Sequence, residues 1–173
     1  MKNKIFPEIT TQRLLLRQLK TSDWEMISYL RSDKKVNEFI KRPSAESKEK
    51  ALAFIARIHT AFKAQKSYYW VITAPPISEM IGSICLWNFS EDRQKAEVGY
   101  DLSPQFQGKG MMTEALENVL NFGFHQLHLQ TIEAYTHHQN KNSKKLLETN
   151  AFELVKGKID EDNLDNIIYR IKK

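Results

Sequence analysis

Between residues 96 and 127 the spacing of apolar positions changes once, and that change orders the reading of the chain. Ala96, Val98, Tyr100 and Leu102 alternate with Glu97, Gly99 and Asp101, the period of two of a half-buried strand. Pro104 ends the strand, because proline has no N–H for a ladder. Beyond Gly110 the apolar residues fall at helical spacing: Ala115, Leu116, Val119, Leu120, Gly123, Phe124 and Leu127.

The flanking segments follow the same logic. Residues 11–19 read as a first strand. Ser22-Asp23-Trp24-Glu25 reads as a capping box that opens a helix through Met26, Ile27 and Leu30. A short helix is expected over 33–40, and Pro43 and Ser44 interrupt. Residues 46–65 read as an amphipathic helix with Ala51, Leu52, Phe54, Ile55, Ile58 and Phe62 on one stripe. A hairpin is expected over 68–88, turning at Pro75-Pro76. Strands are expected at 129–136, 152–159 and 166–171, with a short helix over 140–150 and a polar turn at 160–165. The predicted class is mixed α/β, with one strand–helix–strand crossover and no repeat or linker. The whole chain, 1–173, reads as one domain.

Composition narrows the function classes. Hydrophobic residues make up 41% and charged residues 27%, which suits a soluble globular protein. No apolar run approaches the roughly 18 residues of a membrane span. The opening MKNKIFPEITTQRLLL lacks the apolar core and cleavage site of a signal peptide. The single cysteine, Cys85, cannot form an internal disulfide, which fits a reducing, cytoplasmic setting. It lies in the apolar run 81–87 and reads as strand filler rather than as a nucleophile. The net charge of +5 is spread along the chain without a basic-aromatic repeat, so nucleic-acid binding is only weakly signalled. A mildly basic surface also suits a small polyanion.

The chemistry centres on Gln105-Phe106-Gln107-Gly108-Lys109-Gly110, where strand gives way to helix. A helix N-terminus leaves backbone N–H groups without intrahelical partners, and their dipoles attract anions. Glycines at 108 and 110 would let phosphate oxygens approach closely. An ordinary turn has the same spacing. A Walker loop is excluded because Gly110-Met111 follows Lys109, and a dinucleotide fingerprint is excluded by Thr113 in place of a third glycine.

At these residues the chain resembles the GNAT superfamily of N-acyltransferases. Gln105-x-x-Gly108-x-Gly110 is similar to its acyl-CoA pyrophosphate loop. The resemblance is nearest to the RimJ/RimL branch of ribosomal-protein N-terminal acetyltransferases. Three further stretches carry it: Thr11-x-Arg13-Leu14-x-Leu16-Arg17, Ala96-Glu97-Val98-Gly99-Tyr100, and Asn140-x-x-Ser143 followed by Leu147-Glu148-x-x-Ala151-Phe152. It implies a central, mostly antiparallel twisted sheet, splayed between its fourth and fifth strands and flanked by helices. It also implies acetyl-CoA as co-substrate, a primary amine as acceptor and no metal.

By the same resemblance, Gln105, Gln107, Gly108, Lys109, Gly110, Met111, Met112 and Thr113 hold the cofactor's pyrophosphate. The Leu102 backbone meets the acyl carbonyl, and Gly99 suggests a bulge that would help the splay. Glu97 is the candidate base, although a plain solvent-facing glutamate fits equally. The family's usual acid, a tyrosine seven residues after the helix asparagine, is replaced here by Leu147, so Ser143 is the candidate substitute near the cofactor's sulfur. A serine there would order a water or stabilise the thiolate rather than donate fully; an ordinary first-turn residue fits as well. Asn140 is expected to hold the pantetheine arm or simply to cap its helix. Met112, Ala151 and Thr131 depart from the family's usual small residue, glycine and arginine. His137-His138 in a strand would point opposite ways and bind no metal. Trp24, Trp70, Trp87, Tyr69 and Phe39 are candidates for an aromatic acceptor wall or for core. The acceptor is expected to be a protein N-terminus or a small amine, and the protein a monomer or homodimer. An idle Glu97 and Ser143 would instead leave an acyl-CoA sensor.

Overall fold

The computed structural model describes residues 5–173; residues 1–4, where the reading against a signal peptide begins, lie outside the described residues. Besides two 3-10 turns, twelve strands and α-helices follow one another among the described residues. They are β1 (Ile9–Thr10), β2 (Leu15–Gln18), α1 (Trp24–Ser32), α2 (Lys48–Lys63), β3 (Ser67–Thr73), β4 (Gly82–Trp87), β5 (Lys95–Leu102), α3 (Met111–His125), β6 (Thr131–His137), α4 (Lys141–Thr149), β7 (Glu153–Leu154) and β8 (Asn166–Lys172). The strands form one sheet of eight in the order β1-β2-β3-β4-β5-β6-β8-β7. Neighbours are antiparallel except β5 and β6, the parallel pair that α3 connects.

Helices cover both faces, so β3 is buried along its whole length. Tyr68, Trp70 and Ile72 join a core with Ala115, Leu116 and Val119 of α3. Tyr69 and Val71, pointing the other way, join a second core with Ile27 and Leu30 of α1 and Ile55 of α2. One face thus belongs to α1 and α2, and the other to α3 and α4.

The sheet opens between β5 and β6. Their pairing runs Lys95↔Thr131, Ala96↔Ile132, Glu97↔Glu133 and then stops, although both strands continue. The expected bulge at Gly99 is not the cause, since β4 pairs with β5 without interruption from Gly82↔Leu102 to Trp87↔Glu97. Instead β5 stays with β4, while β6 stays with β8 over its whole length, from Thr131↔Lys172 to His137↔Asn166. The two halves part where each keeps its stronger partner.

Four other expectations need correction. The first strand is broken at 11–14, where the Thr11 hydroxyl accepts from the Leu14 N–H at 3.0 Å and closes a turn. The Ser22–Glu25 capping box does not form as read. Asp23 enters α1 instead, accepting from the Lys20 N–H at 2.8 Å and from Arg17 at 2.7 and 2.9 Å. Residues 34–39 are successive turns rather than helix. There the Asp33 carboxylate accepts from the Val36 N–H, and the Asn37 amide donates to the Leu30 and Asp33 carbonyls, competing with a helical ladder. The strand expected over 152–159 is cut to Glu153 and Leu154, with a last bond from the Val155 N–H to the Ile168 carbonyl at 2.8 Å before Gly157, at φ +78°, turns the chain away.

Candidate active site

The loop before α3 is built to present backbone N–H groups. A 3-10 turn at Pro104–Phe106 leads into Gly108 at φ +72° and Gly110 at φ +73°. Both are left-handed conformations that glycine adopts without penalty. Gly110 is the N-cap of α3, and no side chain caps it. The first helical bond runs from the Glu114 N–H to the Gly110 carbonyl at 3.1 Å. The N–H groups of Met111, Met112 and Thr113 therefore have no intrahelical partner. The Met111 and Met112 side chains pack against the core, which keeps both away from this end.

The loop is held from two sides. Gln107 donates its side-chain amide to the Leu102 carbonyl at 2.9 Å, tying the turn to the end of β5. Gln105 and Lys109 remain exposed, with the Lys109 ammonium 5.6 Å from the Phe106 ring centre. Arg13 donates to the Lys109 carbonyl at 2.9 Å and to the Glu114 carboxylate at 2.7 Å. Glu114 also accepts from the Arg13 N–H and the Thr11 hydroxyl, at 2.8 and 2.6 Å. The Thr11-x-Arg13 motif is thus a clamp on the loop. Burial opposes the charge on Glu114, but these hydrogen bonds outweigh it and hold its carboxyl below the ordinary range. Arg13 neutralises the one carboxylate in the first turn, so a pyrophosphate fits the free N–H groups without facing a bare anion.

At the sheet opening, hydrogen-bond parity fixes where β5 points its donors. The Ser103 N–H reaches the Ile81 carbonyl at 2.9 Å, so that pair is hydrogen-bonded. In an antiparallel ladder the next pair, Leu102↔Gly82, is then not hydrogen-bonded. The Leu102 and Tyr100 N–H groups accordingly face away from β4, into the gap that β6 leaves. A Cβ on Gly82 would lie 2.5 Å from the Asp101 carbonyl, so β4 must carry glycine here for β5 to sit this close.

Side chains from both faces of the sheet meet around this gap, in a groove of about 1000 Å³. On the α3/α4 face, the Tyr100 hydroxyl lies 2.7 Å from Ser143 Oγ. Ser143 is buried in the first turn of α4, and its N–H donates to the Asn140 side chain at 3.1 Å. Asn140 is therefore the N-cap of α4. Burial pushes the Tyr100 phenol up to about 12, so it stays protonated at neutral pH.

Glu97 occupies the opposite face and accepts from the Asn88 amide at 2.6 Å. Burial raises its pKa above the ordinary glutamate value, and the charge of Glu133, its register partner on β6, adds to the rise. Glu133 is 1% exposed and fully engaged. It binds Lys158 at 2.6 Å and Arg170 at 2.6 and 3.0 Å. The two neighbouring carboxylates thus differ: Glu133 is saturated with cations, whereas Glu97 has one amide donor and a raised pKa.

Asp101 departs from the alternation, which placed it towards solvent. It is buried, accepting from Ser83 at 2.6 Å and from Arg42 at 2.7 Å. Arg42 also donates to the Leu30 carbonyl and the Asn37 side chain, each at 2.7 Å. This one guanidinium fastens the turns after α1 to the end of β5.

The aromatic residues divide. Trp87, Tyr69 and Phe39 line the groove, whereas Trp70 is fully buried core and Trp24, the first residue of α1, packs against the second core. Cys85 also lines it, but burial pushes its thiol up to about 12, which leaves it protonated and a poor nucleophile. His137 and His138 do not point opposite ways. The chain leaves β6 at His137, and the two rings stack at 4.8 Å. Asp165 lies beside them but is paired with Lys41 at 3.1 Å.

Tyr100, Asp101, Arg42, Arg13 and Glu114 belong to the site as the fold assembles it, and sequence reasoning missed the part each plays. Tyr100 was hidden by sitting on the apolar side of an alternating strand.

The acetyltransferase (GNAT) domain family matches residues 13–153. The uncharacterized N-acetyltransferase YoaA of Bacillus subtilis (strain 168) is 29% identical over 143 residues, 83% of this chain and 81% of the relative. Among solved structures, the ribosomal-protein-S5-alanine acetyltransferase of Vibrio fischeri superposes with a TM-score of 0.80 at 21% identity, covering 96% of each chain. RimL, a ribosomal L7/L12 α-N-protein acetyltransferase solved with coenzyme A, gives a TM-score of 0.81 at 17% identity, covering 96% of this chain and 98% of its own. Family match, splayed sheet and uncapped glycine loop agree: this chain belongs to the GNAT family of acetyltransferases.

Proposed function

We propose that the chain, as one catalytic domain, transfers the acetyl group of acetyl-CoA to the α-amine of a protein N-terminus by direct attack in a ternary complex. The observation that carries this reading is the division of the site between two faces. Glu97 lies on one face of the opened sheet and the Tyr100–Ser143 pair on the other, and one groove reaches both. Donor and acceptor can then approach from opposite sides and meet in the gap.

The residues take these roles. The N–H groups of Met111, Met112 and Thr113 would hold the pyrophosphate, with Gly108, Lys109 and Gly110 shaping the approach. Gln107 acts through the Leu102 carbonyl and positions the loop, and Gln105 borders it. The Leu102 N–H would donate to the thioester carbonyl, and Asn140 would order the start of α4 beside the pantetheine arm. Glu97 would take the proton that the attacking amine releases as the C–N bond forms. Ser143, backed by the Tyr100 hydroxyl, would return a proton to sulfur as the C–S bond breaks.

The protonation of the acceptor favours an α-amine. With a pKa of about 8, it is roughly one-tenth neutral at pH 7; a lysine near 10.4 is below about one in a thousand. The ribosomal-protein acetyltransferases among the structural neighbours support a protein N-terminus.

The test is thiol release from acetyl-CoA across peptides with free N-termini, N-blocked lysine peptides and small amines. Turnover confined to free N-termini is expected. Turnover confined to small amines would overturn the acceptor, and coenzyme A binding with no turnover on any amine would replace the enzyme with a sensor.

A further inference from the structure

The groove has walls of opposite charge, and the proposed chemistry uses only one of them. On the lip near Glu97 it is bordered by Asp160, Glu161 and Asp162. From α1 and α2 come Arg31 and Arg57. Their guanidinium carbons lie 4.2 and 5.3 Å from the centre of one ring, Phe54. Arg31 donates to the Pro43 carbonyl at 3.0 Å. Among the ion pairs of the described residues, neither arginine has a carboxylate, whereas nearby Arg42 is paired with Asp101. Burial lowers the Arg31 pKa, and Arg42 and Arg57 lower it further, as expected for cations crowded without enough counter-charge.

This cationic wall is close to the reaction centre. Phe54 meets Tyr69 edge-on at 5.7 Å. Tyr69 is on β3, and its register partner Cys85 is on β4, two residues from Ser83. Ser83 donates to Asp101 at 2.6 Å, and Asp101 precedes Leu102. Arg31 lies within electrostatic range of Tyr69 and Asp101, and both guanidinium groups line the same groove as Glu97.

We infer that the acceptor carries a carboxylate on the same molecule as its amine, bound by Arg31 and Arg57 while the amine lies towards Glu97. Arginine presents paired donors that match a carboxylate, and the acidic lip repels that group from the opposite orientation. Given the N-terminal acceptor proposed above, on which this inference rests, the substrate is an N-terminus with Asp or Glu among its first few residues.

The experiment compares two C-terminally amidated peptides of equal length, one beginning Ser-Glu-Glu and the other Ser-Gln-Gln, with the full chain and acetyl-CoA. The acidic peptide is expected to have a kcat/KM about tenfold higher, mostly through KM, the scale of one charge-assisted bond. Arg57 is exposed, so Arg57→Gln leaves the fold intact and should bring the ratio towards one. Arg57→Lys should retain part of it, and Arg31→Gln should act like Arg57→Gln. Equal kcat/KM for the two peptides, or a preference that survives both glutamine variants, overturns the inference and leaves the N-terminal acceptor standing. Failure of both peptides alongside turnover of free glutamate, but not of its amide analogues, overturns the N-terminal acceptor and keeps the carboxylate. No turnover on any of these overturns both.

Discussion

The Tyr100 hydroxyl lies 2.7 Å from Ser143 Oγ, joining β5 to α4 across 43 residues of chain. A serine alone is a weak acid. A serine hydrogen-bonded to a buried, protonated phenol has a second proton behind it. Tyr100→Phe is therefore expected to lower kcat by about tenfold to a hundredfold, with the acetyl-CoA KM little changed. Ser143→Ala should do the same, and the double variant should be hardly worse than either single one, because the two groups act as a unit. Steady-state kinetics on all four proteins checks this. Additive losses would show that the hydroxyls act separately.

Glu97 has a raised pKa, and a general base works in its ionised form. Activity should therefore fall in acid as Glu97 takes up its proton, at a pH above the ordinary glutamate value of about 4.3. A second rise near pH 8 belongs to the α-amine itself. Glu97→Gln should remove the acid limb, keep the limb of the amine, and lower kcat/KM by about a hundredfold. Coenzyme A affinity, measured by calorimetry, should not change. A profile that keeps its acid limb in Glu97→Gln assigns the base elsewhere.

What could be read from the chain was what neighbouring residues decide. The glycine turn, strand β5 and helix α3 are written in local spacing, and each formed where expected. The residues that complete the site were not, because their partners are remote. Arg13 meets Glu114 across 101 residues, and Arg42 meets Asp101 across 59. Alternation places Asp101 on a polar face, but that face is covered by α1, α2 and the turns Arg42 anchors, so the carboxylate is buried and paired. The capping box failed for a related reason. Arg17, six residues earlier on β2, is bonded to Asp23, and Asp23 rather than Ser22 starts the helix.

Arg13 offers a test of the loop that separates geometry from charge. Arg13→Ala should raise the dissociation constant for coenzyme A about tenfold, because it frees the loop and leaves Glu114 as a bare anion at the helix N-terminus. Adding Glu114→Gln removes that anion and should recover part of the loss. Gly110→Glu should abolish binding, since it forces a residue with a Cβ into φ +73° and places a carboxylate at the anion site. Unchanged affinity in Gly110→Glu would sink the loop assignment.

Glu133 predicts how stability depends on pH. Burial penalises its charge, but hydrogen bonds from Lys158 and Arg170 prevail and hold its folded pKa below the ordinary value. A carboxylate depressed in this way contributes its stability above its unfolded pKa, about 4.3, and loses it as pH falls through the folded value. The wild type should therefore lose stability on acidification below about pH 4 more steeply than Glu133→Gln. At pH 7 the variant should be less stable by about 2 kcal/mol, the scale of hydrogen bonds to a charged group. The loss stays moderate because Lys158 and Arg170 are 31% and 33% exposed and can hydrate once the carboxylate is gone. Urea melts of both proteins between pH 3 and 8 measure the difference. Parallel curves for the two proteins would mean that the network contributes no pH-dependent stability.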